Sequence, residues 1–209
     1  MGGGISMITM EGILSIEKDA RPEAAEALLE QDIARLVEWL SLKDDDVRYR
    51  ALLLLKQRST TRDDVYPYFH IFRDKLASAN SYQRSIGLML MAENAKWDKD
   101  NRMADAIDAY LDVLRDEKPI TVRQSIQSLR QIVPHAPALA GKITDALISL
   151  DLSAVKETMR KSILLDVLNA LLLIRRDAPS PAIDDYIMRA LSGGVLDAKS
   201  KKQIGALMR

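Results

Sequence analysis

Four stretches of this chain align without gaps: VRYRALLLL from Val47, YQRSIGLML from Tyr82, VRQSIQSLR from Val122 and MRKSILLDV from Met159. Their spacings are 35, 40 and 37 residues, and each is a polar, often arginine-bearing entry into an apolar run. Four positions after each start stand Ala51, Ile86, Ile126 and Ile163, an i, i+4 apolar pair with the first residue on one helical face. One position after it come Arg48, Gln83, Arg123 and Arg160, and three after it Arg50, Ser85, Ser125 and Ser162. Ile204 marks a shorter fifth copy. A period of this length with two helices per unit is how a helical solenoid shows itself in sequence, because each pair must stack on a neighbour to cover its apolar faces.

Helical periodicity fills the intervals, and strand signals are nearly absent, with aromatics at 5%. Arg21-Pro22 opens a helix whose stripe of Ala25, Leu28, Leu29, Ile33, Leu36, Val37 and Leu40 runs to about Leu42. Asp44 to Asp46 supply a turn and an N-cap before a helix over 47–57. Further pairs are expected at 63–79 with 81–95, 101–115 with 120–133, 137–150 with 153–175, and 181–191 with 198–209. The first helices share a proline followed by a leucine, as Pro67–Leu76, Pro137–Leu147 and Pro181–Leu191. The result is an all-α chain: a segment over 1–20, flexible or loosely packed, then one repeat domain over 21–209.

The proline of the first helix, the acidic turn Asp44-Asp45-Asp46 and the V-R-x-x-A/I start of the second helix resemble the HEAT-repeat family of armadillo-type α-solenoids, over roughly Pro22 to Arg209. That resemblance implies a right-handed α-α superhelix of about five helix pairs, first helices convex and second helices concave. Gln83 departs from the pattern, and no aspartate directly precedes Val122 or Met159, so a regular aspartate–arginine ladder is not expected.

With 30 basic and 30 acidic side chains the net charge is zero, which argues against a wholesale polyanion binder. The absence of cysteine removes disulfides, thiolate metal sites and a thiol nucleophile. The start MGGGISMITMEGIL lacks the pattern of a secretory signal, so a cytoplasmic setting is expected. Met1-Gly2 through Ser6 fits a loose myristoylation pattern, although three glycines more often mark a flexible start. No apolar run reaches the roughly 18 residues a bilayer requires, so the chain is expected to be soluble.

Catalytic vocabulary is scarce. His70, amid Tyr68, Phe69, Ile71 and Phe72, reads as a partly buried packing residue, and His135 as a turn residue. No phosphate-binding glycine loop or nucleophile elbow occurs. Asp44 to Asp46 lack the glycine and glutamate of a calcium loop, and Asp105, Asp108 and Asp112 read as a solvated face. No cofactor or metal is therefore expected.

Two features stay open. Arg48, Arg123 and Arg160 either cover loop carbonyls and bridge repeats, or join Arg50, Arg84 and Lys161 in an edge for an anion or acidic partner. Asp166 breaks a column that holds Leu54, Met89 and Leu129 elsewhere, with Asn169 and Ser162 on the same face. It must find a donor or face a groove, because an unpaired buried carboxylate is costly.

The leading expectation is a non-catalytic scaffold that binds a protein or peptide along the second helices. The alternative is a nucleic-acid binder similar to HEAT-like DNA glycosylases, which use a basic groove with tryptophans and an aspartate. Neither Trp39 nor Trp97 lies near Asp166 in the repeat register. A third expectation is homodimer formation through a terminal repeat, by the end Ile204 to Met208 or the segment holding Ile5, Met7, Ile8, Met10, Ile13 and Leu14. That segment could equally fold over its own first repeat.

Overall fold

The computed structural model describes residues 8–209. Met1 to Met7, with the glycines, the myristoylation-like pattern, Ile5 and Met7, lie outside the described residues. Among the described residues the chain is helical throughout, without a strand, and its contacts separate two compact units, Met1–Asp100 and Asn101–Arg209. No helix among them is long and apolar enough to cross a membrane.

The first unit holds α1 (Met10–Leu14), α2 (Arg21–Glu26), α3 (Glu30–Trp39), α4 (Asp45–Thr61), α5 (Phe69–Lys75) and α6 (Ser81–Glu93). The helix expected over 21–42 is two helices, broken at Ala27 to Leu29. Leu29 is extended at φ −92°, ψ 165°, and its N–H donates to Asp32 Oδ2 at 2.9 Å, which starts α3. Arg58 covers the end of α2: its Nη1 donates to Ala25 O at 2.9 Å and to Glu26 O at 2.7 Å. Asp44 caps α4 as expected, accepting from Val47 N–H at 3.0 Å.

Helix α4 is the axis of this unit, with α1, α2, α3 and α6 packed on it and α5 packed on α6. The described part of the N-terminal segment is not loose. Ile13 is buried, Ile8 N–H donates to the second oxygen of Asp32 at 2.9 Å, and Arg50 donates to Ile16 O at 2.8 Å. This segment packs on α4 and is tied to α3 through Asp32.

The second unit holds α7 (Arg102–Asp112), α8 (Pro119–Ile132), α9 (Ala140–Ile148), α10 (Glu157–Asp177), α11 (Pro181–Ser192) and α12 (Ala198–Leu207). Single 3-10 turns extend α7 over Val113–Arg115 and precede α9 over Pro137–Leu139, where a proline begins the element. Helix α10 begins at Glu157 rather than 153 because Leu152–Ala154 form a separate 3-10 turn. Helices α8, α9, α11 and α12 all pack on α10, and α11 also on α9 and α12. Tyr110 is fully buried and donates to Ser125 O at 2.7 Å, joining α7 to α8.

The repeat column is core: Ala51, Ile86, Ile126 and Ile163 are all buried. The first column is not uniform. Val47 and Val122 are buried, Met159 is half-buried and Tyr82 is exposed.

Candidate functional site

The polar entries of the second helices end mostly on turn carbonyls. Arg48 donates to Leu42 O at 2.9 Å, pairs with Asp45, and lies 5.4 Å from the centre of the Tyr82 ring. Gln83 donates to Leu40 O at 2.8 Å, Arg84 to Ser78 O at 2.8 Å, and Arg160 to Val155 O at 2.9 Å and Ser153 O at 3.1 Å. These are the acceptors that helix ends and tight turns leave without intrahelical partners. Arg48 and Arg160 thus cover turn carbonyls, and Arg84, which the other reading placed in an anion edge, also donates to one. Lys161 instead pairs with exposed Asp197, and its ammonium, aided by Ser200, holds that carboxyl well below the usual carboxylate range.

Arg123 instead reaches the next second helix. Its Nε donates to Asp166 Oδ2 at 2.7 Å and its Nη2 to Asp166 Oδ1 at 3.2 Å, while Gln127 Nε2 donates to Oδ1 at 3.1 Å. The hydrogen bonds to Asp166 hold the Arg123 guanidinium above its ordinary pKa. Asp166 is thus a satisfied carboxylate beside a small cleft of about 220 Å³ between α8 and α10. Gln127, Arg130, Asp166 and Asn169 line it, over Ile126 and Ala170. Asn169 is exposed and donates to Leu165 O at 2.8 Å, which turns its carbonyl oxygen outward as an acceptor. The α8–α10 face therefore gathers Arg123, Asp166 and Asn169. Arg160, at the start of α10, and Lys161, bound to Asp197 before α12, are anchored elsewhere.

A second surface lies in the first unit and centres on a residue the sequence reading passed over. Lys75, at the end of α5, is 9% exposed and donates to Ser41 Oγ at 3.0 Å and Gln83 Oε1 at 2.5 Å. Burial lowers its pKa from the ordinary lysine value. It lines a groove of about 730 Å³ together with Arg48, Tyr82 and Gln83. A signal for it exists: aligned on the leucine that closes the first helices, the preceding residues are Lys75, Ala146 and Ala190.

Both histidines are exposed, so His70 is not the packing residue expected. Phe69 and Phe72, at i and i+3, occupy the core face of α5 and turn position 70 outward. No group of three metal-ligating side chains occurs among the described residues. Trp39 is buried, and Trp97 donates to Ser59 O at 2.8 Å within the first unit. Asp105, Asp108 and Asp112 are exposed, Asp108 pairing with Lys142 at 2.8 Å.

No protein-family model, curated protein or solved structure matches this chain.

Proposed function

We propose that this chain is an α-solenoid of HEAT-like helix pairs that acts as a non-catalytic scaffold, binding a protein or peptide segment along its second helices. The stacking within each unit supports the architecture: α6 lies on α4, and both α8 and α12 lie on α10, so second helices meet second helices. The recurrent polar entries fit it too, since most tie a second helix to its own or the preceding turn.

The observation that carries the binding face is the cleft between α8 and α10. Gln127, Asp166 and Asn169 set amide and carboxylate groups beside apolar Ile126 and Ala170, with Arg130 at its side. An extended peptide presents alternating N–H and C=O groups, and such a mixture of donors and acceptors can meet both. With Asp166 paired to Arg123, the cleft lining keeps a single further basic side chain, Arg130, well short of the basic stripe that backbone binding to nucleic acid calls for.

Panning the full chain against phage-displayed random peptides tests this reading. Peptides should be enriched whose affinity falls at least about tenfold, roughly 1.4 kcal/mol, in Arg130→Ala/Asn169→Ala. The substitutions sit on exposed side chains and should leave the circular dichroism spectrum unchanged. Failure to enrich any peptide, binding indifferent to both substitutions, or salt-sensitive binding of duplex DNA in its place overturns the proposal.

A further inference from the structure

The groove of the first unit lies between the turn that joins α3 to α4 and the turn that joins α5 to α6. Charged groups from both turns line it: Lys43, Asp45 and Arg48 on one side, Asp74 and Lys75 on the other. Its acidic members are already committed. Asp45 pairs with Arg48, and Asp74 pairs with Arg73 at 2.9 Å.

Lys75 has no such partner. Among the described residues it makes no ion pair, and its two hydrogen bonds go to a serine hydroxyl and a glutamine carbonyl, both neutral. An ammonium carries three N–H donors, so one is left over. Gln83 is itself held by its bond to Leu40 O, which aims its carbonyl oxygen at Lys75. The lysine stem is also fixed, because Gly87 of α6 packs against it: a Cβ at position 87 would lie 2.9 Å from Lys75 Cβ. The cation is therefore sheltered, oriented and uncompensated.

Sheltering a charge without its counter-charge works against folding, and an apolar side chain of similar shape would be at least as stable there. The two first helices that align with it on their closing leucine carry Ala146 and Ala190 at this position. An anion in the groove would supply the missing acceptor and the missing charge together. Hydroxyl and amide groups of Ser41, Ser78 and Asn80 stand in the same lining, and exposed Lys43 at the rim adds attraction for an approaching anion.

We propose that this groove is an oxyanion-binding site in which Lys75 supplies the charge, for a ligand bearing a carboxylate or a phosphate. No residue of the α8–α10 face takes part, so the site stands or falls independently of the peptide-binding proposal. Helix α6 begins beside it at Ser81, and its N-terminal dipole favours the same sign of ligand.

Thermal unfolding of the full chain in potassium phosphate, potassium citrate and potassium chloride at matched ionic strength tests the proposal. Both oxyanions stabilise proteins generally, so the comparison is between the wild-type chain and Lys75→Met, which keeps the stem and removes the charge. Phosphate or citrate should raise the wild-type midpoint above its chloride value by more than in Lys75→Met. The more effective anion identifies a phosphate or a carboxylate source. In chloride, Lys75→Met should unfold at the same temperature as wild type or higher.

A second measurement does not depend on the variant. The Lys75 ε-carbon resonance, followed against pH in wild type, should titrate below the other lysines in chloride and move toward them with phosphate or citrate. Equal anion effects in wild type and Lys75→Met, or a Lys75 resonance unmoved by either anion, overturns the proposal.

Discussion

Arg123 and Asp166, 43 residues apart in sequence, meet in a two-point contact between α8 and α10, with Nε–Oδ2 at 2.7 Å and Nη2–Oδ1 at 3.2 Å. The carboxylate side chain is 9% exposed and the guanidinium 36%, so one partner is sheltered and the other reaches water. This asymmetry explains how an aspartate occupies a column that is leucine in two other copies. Leu54 and Leu129 are buried, whereas Met89 and Asp166 are only half-buried, and at position 166 a long arginine from the neighbouring helix meets the charge.

The asymmetry also predicts unequal effects of removing each partner. Arg123→Ala strands a sheltered carboxylate and should lower stability by about 1–2 kcal/mol. Asp166→Leu returns the column to its apolar form and leaves Arg123 free to reach water, so its loss should be smaller. The double variant should be more stable than Arg123→Ala alone. Urea midpoints of the three variants provide the check, and a larger loss for Asp166→Leu than for Arg123→Ala would contradict this account.

Arg58 is the counterpart in the first unit, and more deeply placed. It takes two α2 carbonyls and forms three contacts of 2.6–3.1 Å with the Asp64 carboxylate. Arg58→Met should cost about 2–4 kcal/mol, because it removes the guanidinium bonds to Ala25 O and Glu26 O and leaves the Asp64 carboxylate without its cation. Arg58→Lys should recover little of that, since an ammonium cannot span the carbonyls and the carboxylate as the planar fork does. Denaturant unfolding followed by circular dichroism distinguishes the three proteins. A fully stable Arg58→Lys would show that charge alone matters here.

Much of this fold is legible in the sequence because helix pairing is written in local periodicity. The spacing that aligns Ala51, Ile86, Ile126 and Ile163 is enough to find four buried positions in α4, α6, α8 and α10. The break at Ala27 to Leu29 is not legible, because Leu28 and Leu29 continue the apolar stripe of 21–42 in register. What allows the break is distant: Arg58 lies 33 residues from Ala25, and Asp32 joins Leu29 to Ile8. Leu29 is in fact 42% exposed. Candidate-site residues divide along the same line. Asp166 stands out in sequence because the second helices align over nine residues, whereas Lys75 differs from Ala146 and Ala190 in first helices that share only a proline and a leucine.

A pH dependence follows from Glu93 on α6. Burial pushes its carboxyl above the ordinary value of 4.5, against the smaller opposing pull of Lys56, 3.9 Å away, and Lys96. The folded chain then holds this proton more tightly than the unfolded chain. Its contribution to stability is present in full below 4.5 and is lost as pH rises through the raised folded value. At neutral pH the charged group weighs against folding, so Glu93→Gln should raise the urea midpoint at pH 7 and change it little at pH 4. The difference between wild type and variant isolates this carboxyl from the others that titrate nearby. An unchanged midpoint at pH 7 would contradict the assignment.

Gly87 tests how closely α5 and α6 must approach. A Cβ built at this position would lie 2.4 Å from Phe72 O and 2.9 Å from Lys75 Cβ, and the first of these is backbone that cannot rotate aside. Alanine is the better helix former, by about 1 kcal/mol on intrinsic propensity. Overpacking by one methyl group against a fixed carbonyl typically costs about 1–3 kcal/mol, and at 2.4 Å the upper part of that range applies. Gly87→Ala should therefore destabilise the chain despite its propensity. It should also separate α5 from α6 and disturb the Lys75–Gln83 hydrogen bond, moving the Lys75 ε-carbon resonance in the folded protein. Gly141→Ala on α9, where nothing stands within 4 Å of the new methyl, should be neutral or stabilising. Thermal midpoints of the two variants, measured side by side, should fall for Gly87→Ala and stay level or rise for Gly141→Ala, and a stable Gly87→Ala would refute the close approach.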